Sequence, residues 1–328
     1  MKSFIPTLMI ALFLAVSCDK NPNSPAKVYT WTPCATLPAD GVYKDIFFID
    51  ADEGWLVGQS DRIFHSENGG ESWELQHSGN GDLSTVDFLD KQYGWATELV
   101  ASYYTTDGGT RWNYVDIVGY LSHIAPLTYK VIFIDRQNIL IFHRNAGNSF
   151  VGVTRRTFNA DSAKFSWIDT YYFPSYLSAI THLEYNIWVA DVKQNLYLST
   201  DGGETWSTGQ IEADSSGEIS AINDIRFTDE ENGWFCSDAS VYYSEDGGNN
   251  WHYKATLPDI SLSRICFFDN KGWVMGGQAI YYSSDGGDSW EEQFRIDEGD
   301  ILISLSFVNK SHGWALSQGG KVYRYGEE

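Results

Sequence analysis

Basic residues are scarce in this chain: 22 Lys and Arg stand against 44 Asp and Glu, a formal charge of −22. A surface of that sign repels phosphate backbones and anionic headgroups, and the longest basic run is only Arg155-Arg156. Nucleic acid is therefore excluded as a partner, and the excess charge favours a soluble, monomeric body. Proline is also scarce, at 8 against 30 Gly, which favours many tight turns over long structureless linkers. The four cysteines form no CxxC pair and no His/Cys cluster of metal-ligand spacing, and no twelve-residue calcium loop is present, so nothing in the sequence calls for a metal or a cofactor. Apolar runs are short throughout. The longest, Phe4 to Val16, is broken by Pro6 and Thr7 and is too short to span a bilayer as a stable helix.

That run follows Lys2 and ends in Ala15-Val16-Ser17-Cys18, the order of a secretory signal. The small residues before Cys18 resemble a bacterial lipobox, with Leu14 one position from the usual leucine. The resemblance implies that residues 1–17 are removed as a signal peptide and that Cys18 receives diacylglycerol. Residues 18–26, rich in Asn, Pro and Ser, then form a tether, and 27–328 form the folded domain. The expected location is the bacterial cell envelope, periplasmic or outer-surface, with the membrane reached through the lipid alone.

What the chain has in quantity is aromatic residues and glycine: 13 Trp, 20 Tyr and 18 Phe supply a large core. Five octets repeat one pattern. Ser66 to Trp73, Thr105 to Trp112, Ser199 to Trp206, Ser244 to Trp251 and Ser283 to Trp290 each carry Ser or Thr, then Asn68, Asp107, Asp201, Asp246 or Asp285, then Gly-Gly, and end in Trp. An acidic or amide side chain followed by two glycines makes a tight hairpin, because the side-chain oxygen accepts local N–H groups and glycine enters positive φ without a clash. The closing Trp lays a large apolar surface against the sheet. These ten Asx and Trp positions are structural.

A second repeat precedes four of these turns and recurs near the chain's end. Gly54-Trp55, Gly94-Trp95, Gly233-Trp234, Gly272-Trp273 and Gly313-Trp314 each open a short apolar strand, and each follows an earlier strand such as Ile46 to Asp50. Strand, turn, Gly-Trp strand, bend, aromatic strand, Asp-Gly-Gly turn and Trp strand make one four-stranded antiparallel blade. Trp73 and Trp112 are 39 residues apart, whereas Trp112 and Trp206 are 94 apart and must contain a degenerate unit with a worn turn at 145–150. The last unit lacks its Trp strand, and Trp31 to Pro38 parallels Trp251 to Pro258. The predicted fold is all-β: a seven-bladed propeller of four-stranded antiparallel blades, the last closed by an N-terminal strand. Six or eight blades stay open because 113–180 is ambiguous. Cys34, Cys236 and Cys266 are odd in number, so at least one is unpaired within the chain; Cys236 and Cys266 read as buried thiols or as an interblade disulfide.

Over residues 27–325 the pattern resembles the Asp-box (BNR-type) repeat propellers. Its Gly-Trp segments look like the photosystem II stability and assembly factor family and its relatives in non-photosynthetic bacteria. The resemblance implies a protein-binding or carbohydrate-associated role. The arginine-rich face of the photosynthetic factors is not reproduced here, and neither is the sialidase arginine framework, since Arg62-Ile63-Phe64 lacks the proline. Asp45, Asp87, Asp169 and Asp224 stand near strand starts that face the axis or a rim, but acids are too abundant for any pair to indicate a glycosidase. No catalytic residue is assigned. The irregular stretch 114–185 supplies the candidate binding residues Arg155, Arg156, Trp167, Tyr171, Tyr172, Tyr176 and His182, since worn repeats are where a ring places binding loops; the same aromatics equally serve to cover a degenerate blade. The function expected is a non-enzymatic protein-interaction or assembly scaffold in the envelope. A glycan-binding or glycan-hydrolysing propeller and a purely structural subunit are the alternatives.

Replacing Cys18 with Ser is expected to abolish incorporation of labelled fatty acid and to release the chain from the membrane fraction. Unchanged labelling would remove the anchor.

Overall fold

The computed structural model describes residues 28–98, 102–115, 126–145, 151–159, 164–212, 219–257 and 260–327. Cys18, the preceding signal and the tether lie outside the described residues. Twenty-eight strands among those described form seven four-stranded antiparallel sheets. Blade 1 is the meander Tyr43–Phe48, Gly54–Gly58, Ile63–Ser66 and Glu74–His77. The next five blades begin with Thr85–Phe88, Pro126–Phe133, Leu177–Leu183, Ile222–Phe227 and Arg264–Phe268, and these first strands face the axis. Blade 7 begins with Leu302–Asn309 and takes its fourth strand from Tyr29–Thr36, which pairs with Lys321–Glu327 and sets Trp31 opposite Tyr325. Seven blades and their closure stand as expected.

The octet's chemistry is the same in each copy. The hydroxyl of Ser66, Thr105, Ser199, Ser244 or Ser283 donates to the Asx oxygen and accepts the second glycine's N–H at 2.8–2.9 Å. The Asx oxygen accepts the N–H four residues on, at 2.9–3.0 Å. Both glycines of each box have positive φ, so side chains there would be strained. The indoles of Trp73, Trp251 and Trp290 donate to the second glycine's carbonyl of their own box.

A second-strand Trp, preceded by Gly in every case but Trp188, holds the blades to one another. The Trp ring lies flat on a Phe of the next blade: Trp314 on Phe48, Trp55 on Phe88, Trp188 on Phe227, Trp234 on Phe267 and Trp273 on Phe307. Their centroids are 3.5–4.3 Å apart and their planes within 28°. The box Trp of the same blade meets that Phe edge-on, as Trp73, Trp112, Trp251 and Trp290 do. The glycine exists because the Phe ring occupies its side-chain space: a Cβ at Gly54, Gly94, Gly233, Gly272 or Gly313 would overlap the ring. Three of the stacking indoles also donate to the first box glycine's carbonyl in the next blade, Trp188 to Gly247, Trp234 to Gly286 and Trp314 to Gly69, at 2.8–3.2 Å.

Blades 3 and 4 depart from this scheme. The worn turn expected at 145–150 lies between Asn138–Asn145 and Val151–Asn159, the second and third strands of blade 3. The hairpin equivalent to an Asp-box is instead the one joining Val151–Asn159 to Lys164–Phe173, because long strands displaced the turn. Pairing registers put Phe48, Phe88, Phe133, Phe227, Phe267 and Phe307 at one position, each opposite the residue directly before the Trp of the second strand, or before Leu140 in blade 3. In blade 4 that position is His182, opposite Ile187. Leu140 of blade 3 stands where the other blades carry the stacking Trp, and the aromatic contacts of this seam lie instead between Tyr171 and Phe173 of blade 3 and Tyr197 and Trp206 of blade 4. Cys34, Cys236 and Cys266 are free thiols, Cys236 fully buried.

Phe227→Ala removes a ring sandwiched between Trp188 and Trp251 and is expected to cost about 3–5 kcal/mol. Gly233→Ala, by forcing that ring aside, is expected to cost about 1–3 kcal/mol. Denaturant unfolding checks both; values near zero would show that the stacks do not hold the ring.

Candidate functional site

The seven first strands enclose an axial cavity of about 940 Å³. Blades pack apolar faces against one another farther out, but at the axis the strands converge without facing sheets, and polar side chains occupy the space. Asp45 and Asp87 come from blades 1 and 2, Lys130 from blade 3, His182 from blade 4, Asp224 and Arg226 from blade 5, and Arg264 from blade 6.

Two of the carboxylates tie blades together. Asp45 accepts the Ser304 hydroxyl from blade 7 at 2.7 Å, its neighbour Ile46 N–H at 3.1 Å and the Val86 N–H of blade 2 at 3.1 Å. Asp224 accepts Ile225 N–H and, across the seam to blade 6, Ile265 N–H at 3.0 Å. These bonds commit both groups to architecture. Asp87 takes no such bond among the described residues. Burial pushes its pKa up to about 6, opposed by the Lys130 charge and reinforced by Asp45.

The cations occupy the opposite arc. Lys130 Nζ reaches only the Ile180 carbonyl, at 3.4 Å, and has no ion pair among the described residues. Burial and then the Arg226 charge lower its pKa, while Asp87, Asp224 and Asp45 oppose them. Arg226 Nε stands 3.7 Å from Asp224, whose charge raises the guanidinium's pKa. His182 is driven down to about 4 by burial first, then by Lys130 and Arg226, and its Nδ1 is buried without a hydrogen-bond partner. Of the carboxylates lining the cavity, Asp45 and Asp224 are thus held by backbone amides of adjacent blades.

The other residues expected to bind are dispersed. Tyr172 and Tyr176 are 52% and 44% exposed, at the end of blade 3's outer strand and in the bend leading to blade 4. Tyr176 O accepts the Val192 N–H at 2.8 Å, which sets the exposed Val192 beside it. Tyr171 instead packs between Phe173, Tyr197 and Trp206. Arg155 pairs with Glu204 of blade 4, and Arg156 is buried at 1% exposure, out of a macromolecule's reach. The side chains of Trp167 and Asp169 lie outside the described residues. Lys130, Arg226 and Arg264 were not anticipated; the available signal was a charge at an axial position of a strand that is otherwise apolar.

The family model described as photosynthesis system II assembly factor YCF48 matches residues 24–122 and 212–292, and the BNR/Asp-box repeat model matches 197–208. No curated protein matches the chain. Among solved structures, "YCF48 bound to D1 peptide" is similar with a TM-score of 0.71 at 19% identity, over 95% of this chain and 99% of that one. YCF48 from Cyanidioschyzon merolae gives 0.69 at 17%, over 90% and 98%. A streptogramin B lyase gives 0.68 at 12%, over 92% and 98%. At these identities the likeness carries the fold alone, and the lyase shows how many chemistries one ring can host.

Asp87→Asn tests the axial electrostatics. A carboxyl whose native value stands above its unfolded one, near 3.8, costs nothing at low pH and progressively weakens folding as pH rises through about 6. The variant is expected to melt a few degrees higher than wild type at pH 7.5 and within about one degree of it at pH 3.5. A larger gain at low pH would contradict the assignment.

Proposed function

From its membership of the photosynthesis system II assembly factor YCF48 family, to which the chain belongs over more than half its length, we propose that this protein is a non-catalytic propeller that binds a protein partner in assembly. The observation that carries the reading is the exposed aromatic ledge of Tyr172 and Tyr176, with Val192 against it, on the two blades that break the repeat. Tyrosine offers a large, stiff, amphipathic surface at small cost in conformational entropy, and such side chains anchor protein interfaces. The family's solved member in complex with D1 peptide supports a peptide or protein as the class of partner. The lipobox-like segment ending at Cys18 adds export and a lipid anchor, so the partner is an envelope protein within a tether's reach of the membrane.

The experiment is crosslinking capture from membranes carrying the full lipoprotein. Tyr172→Ala with Tyr176→Ala is expected to reduce recovery of the specific crosslinked partner about tenfold or more, while Tyr114→Ala, an exposed tyrosine on blade 2, leaves it unchanged. Equal recovery from all three proteins would return the ledge to a covering role.

A further inference from the structure

Six blades place Phe at one position of the first strand, and blade 4 places His182 there. Phe at this position completes an interblade stack or packs against a neighbouring Trp, so replacing it with His gives up apolar contact at the ring's inner edge. The imidazole gains nothing from the protein in return on its Nδ1 side, which is buried without a hydrogen-bond partner. The neighbouring blades face it with Lys130 and Arg226, so two cations and the neutral imidazole that they help to hold unprotonated, from three consecutive blades, surround one space. Removed from water in this space, the two cations are costly unless something negative meets them. The protein's own acids answer it only in part. Asp45 and Asp224 are committed to amides of adjacent blades, and the Asp224 contact to Arg226 is long, at 3.7 Å.

We propose that the axial cavity binds a small molecule through an oxyanion, carboxylate or phosphate, seated between Lys130, His182 and Arg226. The volume, about 940 Å³, is that of a metabolite-sized site. An ammonium, a guanidinium and an imidazole N–H give the several donors that an oxyanion's lone pairs require. The remaining ionisable groups facing this space are Asp45, Asp87, Asp224, Arg264 and Cys266, with the Lys310 and Asp269 ion pair at the mouth. Asp87, across the cavity, opposes an anion when ionised, so binding strengthens as pH falls through about 6. This site is separate from the tyrosine ledge, and its failure would leave that reading untouched.

The test is calorimetric titration of the full-length chain with inorganic phosphate and with succinate, the tighter of the two identifying the source of the oxyanion. Saturable binding of one probe per chain is expected. Lys130→Met is expected to weaken it about tenfold or more without lowering Tm, since the substitution removes an unpaired buried charge. Arg62→Gln, which breaks only the surface pair with Asp40, is expected to bind as wild type. Sulfate, whose charge is constant over this range, is expected to bind more tightly at pH 5.5 than at 7.5. Absence of saturation with both phosphate and succinate, wild-type affinity in Lys130→Met, or a flat or inverted sulfate profile overturns the proposal. Should Lys130→Met not fold, the His182 ring resonance in the wild-type chain decides: a saturable shift with either probe supports the site, and an unmoved resonance overturns it.

Discussion

The ring depends on one contact repeated between blades: an indole lying flat on the phenyl ring of the next blade. Neither ring can take that position alone. The phenyl needs a glycine on its own second strand, because any larger residue would occupy its place, and in four of the five stacks the indole directly follows the equivalent glycine of the preceding blade. The Gly-Trp pair thus does two jobs for two different blades, making room inside one and covering the other. Aromatic pairs add roughly 0.5–1.5 kcal/mol each beyond the area they bury, and five parallel stacks distribute that gain around the circle. The Asp-box sets the outer hairpin so that its Trp meets the same phenyl from the side, locking the third partner of the cluster.

Where that contact lapses, polar chemistry enters. Between blades 3 and 4 Leu140 takes the stacking position, the aromatic contacts move outward to Tyr171 and Phe173 against Tyr197 and Trp206, and the phenyl position becomes an imidazole at the edge of the axial cavity. The same two blades carry the tyrosines that point to solvent. Blade 3 pairs its third and fourth strands over long runs, up to ten residues in Lys164–Phe173, so its sheet holds without the flat indole and phenyl stack.

Much of the architecture was legible because it rests on local rules. Asp-Gly-Gly turns, Gly-Trp strands and the likeness of Trp31 to Trp251 each follow from turn geometry or from the spacing of large apolar residues, and they led directly to seven blades and a composite closure. The worn turn was misplaced by one hairpin because blade 3 has no Asp-Gly-Gly to mark it, and long alternating strands read alike. The axial cavity was harder. Asp45, Asp87 and Asp224 were recognisable as carboxylates at strand starts, but which of them is taken by a neighbouring blade's amide depends on contacts about forty residues apart in the chain. His182 stood out only as one of several unusual residues, and its meaning came from register: only alignment of the strand pairs shows that it replaces a phenyl.

The composite blade has a consequence for how the molecule is made. Residues 29–36 leave the ribosome long before the strand they pair with, 321–327. Until then the early strand has no permanent neighbour and blade 1 has no finished sheet beside it. Final assembly is therefore a single late event that joins the two extremes of the described chain, and any process that acts on an incomplete polypeptide meets an open arc, with two unsealed sides, instead of a circle.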